Sequence, residues 1–140
     1  MFTLDISTEF GARTADRLQK ETVIWLTTVD PRGAPRPVPV WYLWTGSDFL
    51  IFSQPNKPKL RNAGRNPQVA LSFNSTETGG NIVVFTGTAR LENATPIPAE
   101  TDAYNEKYAD DLKRLGMTSE QFHQDYSVPM RVTPEKLRGF

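Results

Sequence analysis

The chain has no cysteine and a single histidine, His123. The first absence excludes disulfides, thiolate metal sites and cysteine nucleophiles. The second leaves too few imidazoles for a metal-ligand cluster or a histidine-based catalytic constellation, so no metal site is expected. Neither GxSxG nor GxGxxG stands before an expected helix. An excess of one charge is missing too: sixteen basic residues balance sixteen acidic ones. No global positive field exists to gather nucleic acid, and any anion site has to be local. Apolar runs long enough to span a bilayer are absent, and the start, Met1-Phe2-Thr3-Leu4-Asp5, has neither the basic nor the apolar block of a signal peptide. The expectation is a soluble cytoplasmic protein with no membrane or nucleic-acid partner. Its 140 residues suit a single domain, 1–140.

What is present is a succession of short apolar strands with peripheral helices. Glu9 to Lys20 reads as a helix with a basic polar face. Thr22 to Val29 is a β-branched strand, followed by the β-turn Asp30-Pro31-Arg32-Gly33. A strand from Arg36 to Trp44 carries Pro37 and Pro39, which cannot donate to a ladder and mark an edge, a bulge or an opening, an unpaired stretch able to face a ligand. Further strands end near Ser53 and run over 68–74 and 81–91, the last with Gly87 inside it, a sign of a bend or a close backbone approach. Beyond Pro98, Tyr104, Tyr108, Leu112 and Leu115 repeat at helical spacing and predict one amphipathic helix. Thr118 and Gln121 are spaced as a capping box, with Met117 and Phe122 as its staple. Val128 to Thr133 alternates like a strand, and Pro134 to Phe140 reads as a tail. Six strands in meander order with outlying helices predict an α+β fold, a small antiparallel β-barrel.

One segment stands out chemically. Ser53-Gln54-Pro55-Asn56-Lys57-Pro58-Lys59-Leu60-Arg61-Asn62 places three cations where a short helix should begin, and Arg65 follows one turn later. Asn56 and Pro58 are residue types favoured at a helix start, where unpaired N–H groups and partial positive charge await an anion. Buried strands on both sides hold the run in place. It therefore reads as a phosphate site that relies on charge-assisted hydrogen bonds, with room for part of a longer anionic tail.

The ordered set TVIWLTTVDPRGAPRPVPVWYLWTG, FLIFSQPNKPKLRNAGRNPQVALSF and NIVVFTGTARL, with the terminal RVTPEKLRGF, resembles the pyridoxamine 5'-phosphate oxidase-like split β-barrel family. More narrowly it is similar to the actinobacterial branch of flavin/deazaflavin oxidoreductases that use coenzyme F420. The resemblance implies a six-stranded antiparallel split β-barrel and a homodimer with cofactor sites at the subunit interface. It implies a cofactor phosphate on Ser53, Gln54, Lys57, Lys59, Arg61 and Asn62, with Lys59 foremost, and a tricyclic ring beside Val40, Trp41 and Tyr42. The implied activity is hydride transfer between F420 and a small organic acceptor. An FMN-dependent oxidoreductase of the same fold and a non-catalytic F420 carrier are the alternatives. The additional C-terminal basic residues with which true pyridoxamine phosphate oxidases hold the substrate phosphate have no equivalent here, so vitamin B6 oxidation is not implied.

Few protein acids are expected to act, because a reduced deazaflavin is itself the hydride donor and the protein orients and shields it. A completing proton would come from solvent or a nearby hydroxyl such as Tyr42. Tyr104 and Tyr108 read as core anchors, Trp25 and Trp44 as packing residues, and His123 as a surface or interface residue.

Overall fold

A computed structural model describes residues 2–140. Helix α1 (Glu9–Lys20) begins at Thr8, whose hydroxyl accepts the Gly11 N–H at 2.9 Å. Then come β1 (Ile24–Val29), β2 (Pro35–Val40), β3 (Leu43–Trp44), β4 (Phe49–Ser53), α2 (Pro58–Arg65), β5 (Gln68–Ser72) and β6 (Val83–Leu91). Helices α3 (Pro98–Lys107), α4 (Ala109–Arg114) and α5 (Ser119–Asp125) precede the last strand, β7 (Val128–Gly139). Among the described residues no helix is long and apolar enough to cross a membrane.

The strands form one antiparallel sheet in the order β2-β1-β5-β6-β7-β4-β3. Its two outer strands, β2 and β3, are consecutive in the chain and joined only by Trp41 and Tyr42. That short link requires the sheet to curl until its edges approach, which is the expected α+β split barrel. Its strand order is not the expected meander, because β4 pairs with β7 instead of β5. The strand count rises from six to seven because the stretch expected as one strand breaks at Trp41–Tyr42. The expected tail is also strand. β7 continues through Pro134 because a bulge sits there: Gly87 pairs with Pro134 and Thr86 with Lys136, leaving Glu135 as the extra residue. At Gly87 a Cβ would lie 2.2 Å from the Thr133 carbonyl oxygen, so the close approach expected there requires glycine.

Two apolar clusters result. The barrel core gathers Leu18, Ile24, Leu26, Tyr42, Phe49, Ile51, Leu71 and Phe85, among others. The second lies between the barrel wall and the helices, and joins Tyr104, Tyr108, Leu112 and Phe122 to Trp41, Leu43, Phe52, Met117 and Tyr126. Successive side chains of an extended chain alternate: Tyr42 enters the first cluster and Trp41 the second. The expected single amphipathic helix divides at Tyr108, where α3 hands over to α4. Tyr104, Tyr108 and Leu112 are buried as expected, but Leu115 lies past the helix end and is 62% exposed. The capping box at Thr118 and Gln121 forms as read. Arg131 of β7 fastens this helical layer down. Its guanidinium makes a paired contact with Glu100 at 2.7 and 2.8 Å, and Glu92 and Asp48 also bind it.

Candidate functional site

The basic run folds as expected at α2, with one change at its cap. Lys57 is the N-cap and makes no side-chain cap bond, Pro58 opens the helix, and Asn56 takes a left-handed turn at φ 64° just before it. Asn56 therefore bends the chain into the helix without capping it, and no side chain caps the first-turn N–H groups. Asn62 anchors the helix from below. Buried against β1, it donates from Nδ2 to Thr28 Oγ1 at 3.2 Å and accepts from Arg65 at 3.1 Å.

In front of α2 a groove of about 800 Å³ opens against the β1–β2 turn and β2. Arg36, Lys57, Lys59, Arg61 and Arg65 line it, with Asp30 as its one carboxylate. The cations are not equivalent. Arg36 pairs with Asp30 at 2.9 Å, Arg61 donates to the Asn56 carbonyl at 2.7 Å and Arg65 to that of Val29 at 3.3 Å. Among the described residues Lys57 and Lys59 have no side-chain hydrogen bond or ion pair, so they are the cations free for an anion. Burial, with Lys57 close by, lowers the pKa of Lys59 below the usual lysine value. A bound anion would reverse that penalty.

Lys59 also lines a second, smaller pocket of about 360 Å³, together with Val40, Trp41, Phe52, Tyr104 and Phe122. Four rings form a nearly parallel series along this region. Trp41 stacks on Tyr108 at 4.4 Å and 3° and on Phe122 at 5.5 Å and 14°, and Phe122 stacks on Tyr126 at 4.5 Å and 5°. Trp41 is thus a wall fixed by its neighbours.

β2 runs from one compartment to the other: residues 35–38 line the groove, and Pro39 and Val40 line the pocket. Pro35, Pro37 and Pro39 face Val29, Thr27 and Trp25 of β1. Since proline has no N–H and ladder bonds alternate along an antiparallel strand, Arg36, Val38 and Val40 carry the bonds to β1. The outer edge of β2 then offers the carbonyls of its prolines and none of their N–H groups. Such an edge rejects a further strand and accepts hydrogen bonds from a ligand.

Of the eight residues expected at the site, Val40, Trp41 and Lys59 line the aromatic pocket, and Lys57, Lys59, Arg61 and Asn62 line the basic groove. Ser53 and Gln54 line neither; Ser53 is fully buried and donates to the Gln54 carbonyl at 2.8 Å. Tyr42 lies away from both. Its hydroxyl donates to the Leu18 carbonyl at 3.0 Å inside the barrel core, and burial raises its pKa, which removes it as a proton source. The pocket's contributions from Phe52, Tyr104, Phe122 and Tyr126 were not expected from sequence. The helical spacing of Tyr104 and the staple position of Phe122 mark both as buried, and nothing local distinguishes a buried wall from a buried core. His123 is half-buried beside Phe52 with its Nε2 2.7 Å from Asn105 Oδ1, and burial lowers its pKa.

A protein of Vibrio cholerae described as the heme storage protein HutZ superposes with a TM-score of 0.70 at 18% identity, over 99% of this chain and 95% of that one. A pyridoxamine 5'-phosphate oxidase candidate from Listeria innocua gives 0.66 at 20% identity, over 91% and 94%. A structure described as an F420 reductase gives 0.63 at 22% identity, over 88% and 94%. These likenesses establish the shared fold. No curated protein matches the chain. Residues 10–139 match the pyridoxamine 5'-phosphate oxidase family, and the chain belongs to that family.

Proposed function

We propose that the chain is an oxidoreductase that binds coenzyme F420 and moves a hydride between its deazaflavin ring and a small organic acceptor. The observation that carries this reading is the place of Lys59, common to an aromatic pocket and a basic groove. A ligand with a planar ring and an anionic tail fits both compartments at once. Lys57 and Lys59 hold the phosphate and Arg61 flanks it, while Asn62 and Ser53 keep the run in place and Gln54 leads into it. Val40 and Trp41 receive the ring, and the carbonyl edge of β2 accepts from its N–H groups. With Arg36 paired to Asp30, the four remaining cations of the groove still exceed what one phosphate needs, which favours a cofactor with a longer acidic tail over FMN. The F420 reductase among the similar structures supports the same choice.

When bound, the reduced deazaflavin supplies a hydride and no protein redox group is required. The protein's part is orientation and exclusion of water by Trp41, Phe52 and Phe122. In this reading two chains pair around the cofactor, and Ile6, Leu91, Ile97, Leu115 and Phe140 are the exposed large apolar side chains of the described residues available for pairing. Sedimentation of the purified protein checks that pairing.

The deciding experiment is titration of dialysed protein with F420 and, separately, FMN, followed by tryptophan emission. Selective, saturable F420 binding near micromolar concentration is expected. Preference for FMN, or binding of neither, overturns the cofactor. Tight F420 binding without turnover of any acceptor in a panel assigns a carrier in place of an enzyme.

A further inference from the structure

Two buried hydroxyls of the described residues lack a hydrogen-bond partner, those of Thr14 and Tyr104. Thr14 sits inside α1, away from both compartments. Tyr104 lines the aromatic pocket and is fully buried. Its ring is surrounded by Phe52 at 4.8 Å, Tyr108 at 4.9 Å, Phe122 at 5.8 Å and His123 at 6.0 Å. None of them places an acceptor within hydrogen-bonding distance of its hydroxyl. The His123 Nε2 is taken by Asn105, and the Tyr108 hydroxyl accepts from the Tyr42 N–H at 2.8 Å while donating to the Thr22 carbonyl at 2.7 Å. Neighbouring tyrosines on one helix face thus differ: Tyr108 is fully engaged within the protein and Tyr104 is not.

A buried hydroxyl without a partner destabilises the protein that contains it. Burial also raises the pKa of the Tyr104 phenol well above the usual tyrosine value, so it stays protonated and presents a donor. We propose that Tyr104 is a ligand-recognition residue: a small turn of its ring towards the aromatic pocket it lines lets the hydroxyl, closed to water in this structure, donate to a carbonyl oxygen or ring nitrogen of a planar heteroaromatic group bound there. This deepens the F420 reading and rests on it. It also sets a selection rule: a ring with no acceptor atom at that position leaves the hydroxyl orphaned and binds less well.

The test compares Tyr104→Phe with Tyr108→Phe, using thermal melts of ligand-free protein and F420 and FMN titrations followed by both tryptophan emission and the ligand's absorption spectrum. Removing the orphan hydroxyl should raise the melting temperature of ligand-free Tyr104→Phe, weaken ring binding about tenfold and abolish the wild-type shift of the ligand absorption band. Tyr108→Phe should lower the melting temperature. Unchanged affinity and spectrum in Tyr104→Phe would overturn the assignment while leaving the cofactor reading intact. Weaker binding with a lower melting temperature would mark the hydroxyl as bonded within the protein and overturn it equally. Wild-type protein that binds neither ligand would overturn the cofactor reading and this one together.

Discussion

In the basic groove Lys57, Arg61 and Arg65 are exposed and Lys59 half-buried, whereas in the aromatic pocket that shares Lys59 the wall residues Tyr104 and Phe122 are also what holds the helices on the barrel. The groove draws on one continuous segment, residues 57–65, placed against the β1–β2 hairpin. The pocket draws on β2, β4, α3, the turn after α4 and α5, which meet only in the folded chain. Charge can be altered in the groove without touching a core. The pocket cannot change without altering the fold's second cluster. On the proposed function, affinity for an anionic tail is thus separable from stability in the groove, and affinity for a ring is coupled to it in the pocket.

Phe122→Ala strikes the coupled side. Phe122 is buried between the Trp41 and Tyr126 rings, so urea unfolding should show a loss of ~3–5 kcal/mol, the usual range for truncating a buried phenylalanine. Retained stability would mean that the pocket wall is not core. Lys59→Ala strikes the separable side. It should weaken F420 binding by ~1.5–3 kcal/mol if the ammonium meets the phosphate, with no loss of unfolding free energy, because none of the described residues partners it. Equal losses in stability and binding would erase the distinction between the compartments. Lys57→Ala should matter least: exposed, it should cost ~0.2–1 kcal/mol of F420 affinity, and the difference from wild type should vanish at high salt. A salt-resistant loss would mean that Lys57 meets the phosphate shielded from solvent, as Lys59 does.

The same contrast explains what could be read from the chain beforehand. The α2 run, the Asp30–Gly33 turn, the capping box at Thr118 and the close approach at Gly87 are short-range features, and local chemistry reveals them. The β4–β7 pairing links Ser53 to Val128 across the whole basic segment and the helical layer, and no local signal specifies it. Pro134 reads as a strand stop because its missing N–H is visible in sequence, whereas the bulge that tolerates it is visible only in the pairing with Gly87. Tyr104 and Tyr108 share one helical face and one expected role. What separates them is a partner supplied by Thr22 and Tyr42 to one hydroxyl and to the other by none of the described residues.

Lys107 gives the aromatic layer a pH signature that the groove shares only in part. Its Nζ donates to the Tyr42 carbonyl at 2.8 Å and lies 3.5 Å from the Tyr42 ring centre and 5.2 Å from that of Tyr108. Among the described residues no carboxylate pairs with it, and burial lowers its pKa to about 8. The unfolded lysine titrates near 10.4. Between these values the unfolded chain holds more protons than the folded one, so unfolding free energy should rise with pH from about 8 towards about 10. Above about 10 the sign reverses. Tyr42, Tyr104 and Tyr108 have pKa values raised by burial, and the unfolded chain then loses phenolic protons that the folded chain keeps. Lys59, also lowered, adds to the rising arm until an anion restores its pKa. Urea unfolding between pH 7 and 11 should therefore trace a dome, with Lys107→Met flattening its rising arm more than Lys59→Met does. Saturating F420 should remove the Lys59 share of the slope and leave that of Lys107. A rising arm unaffected by Lys107→Met would mean that this lysine keeps an ordinary pKa and that the aromatic layer is open to water around it.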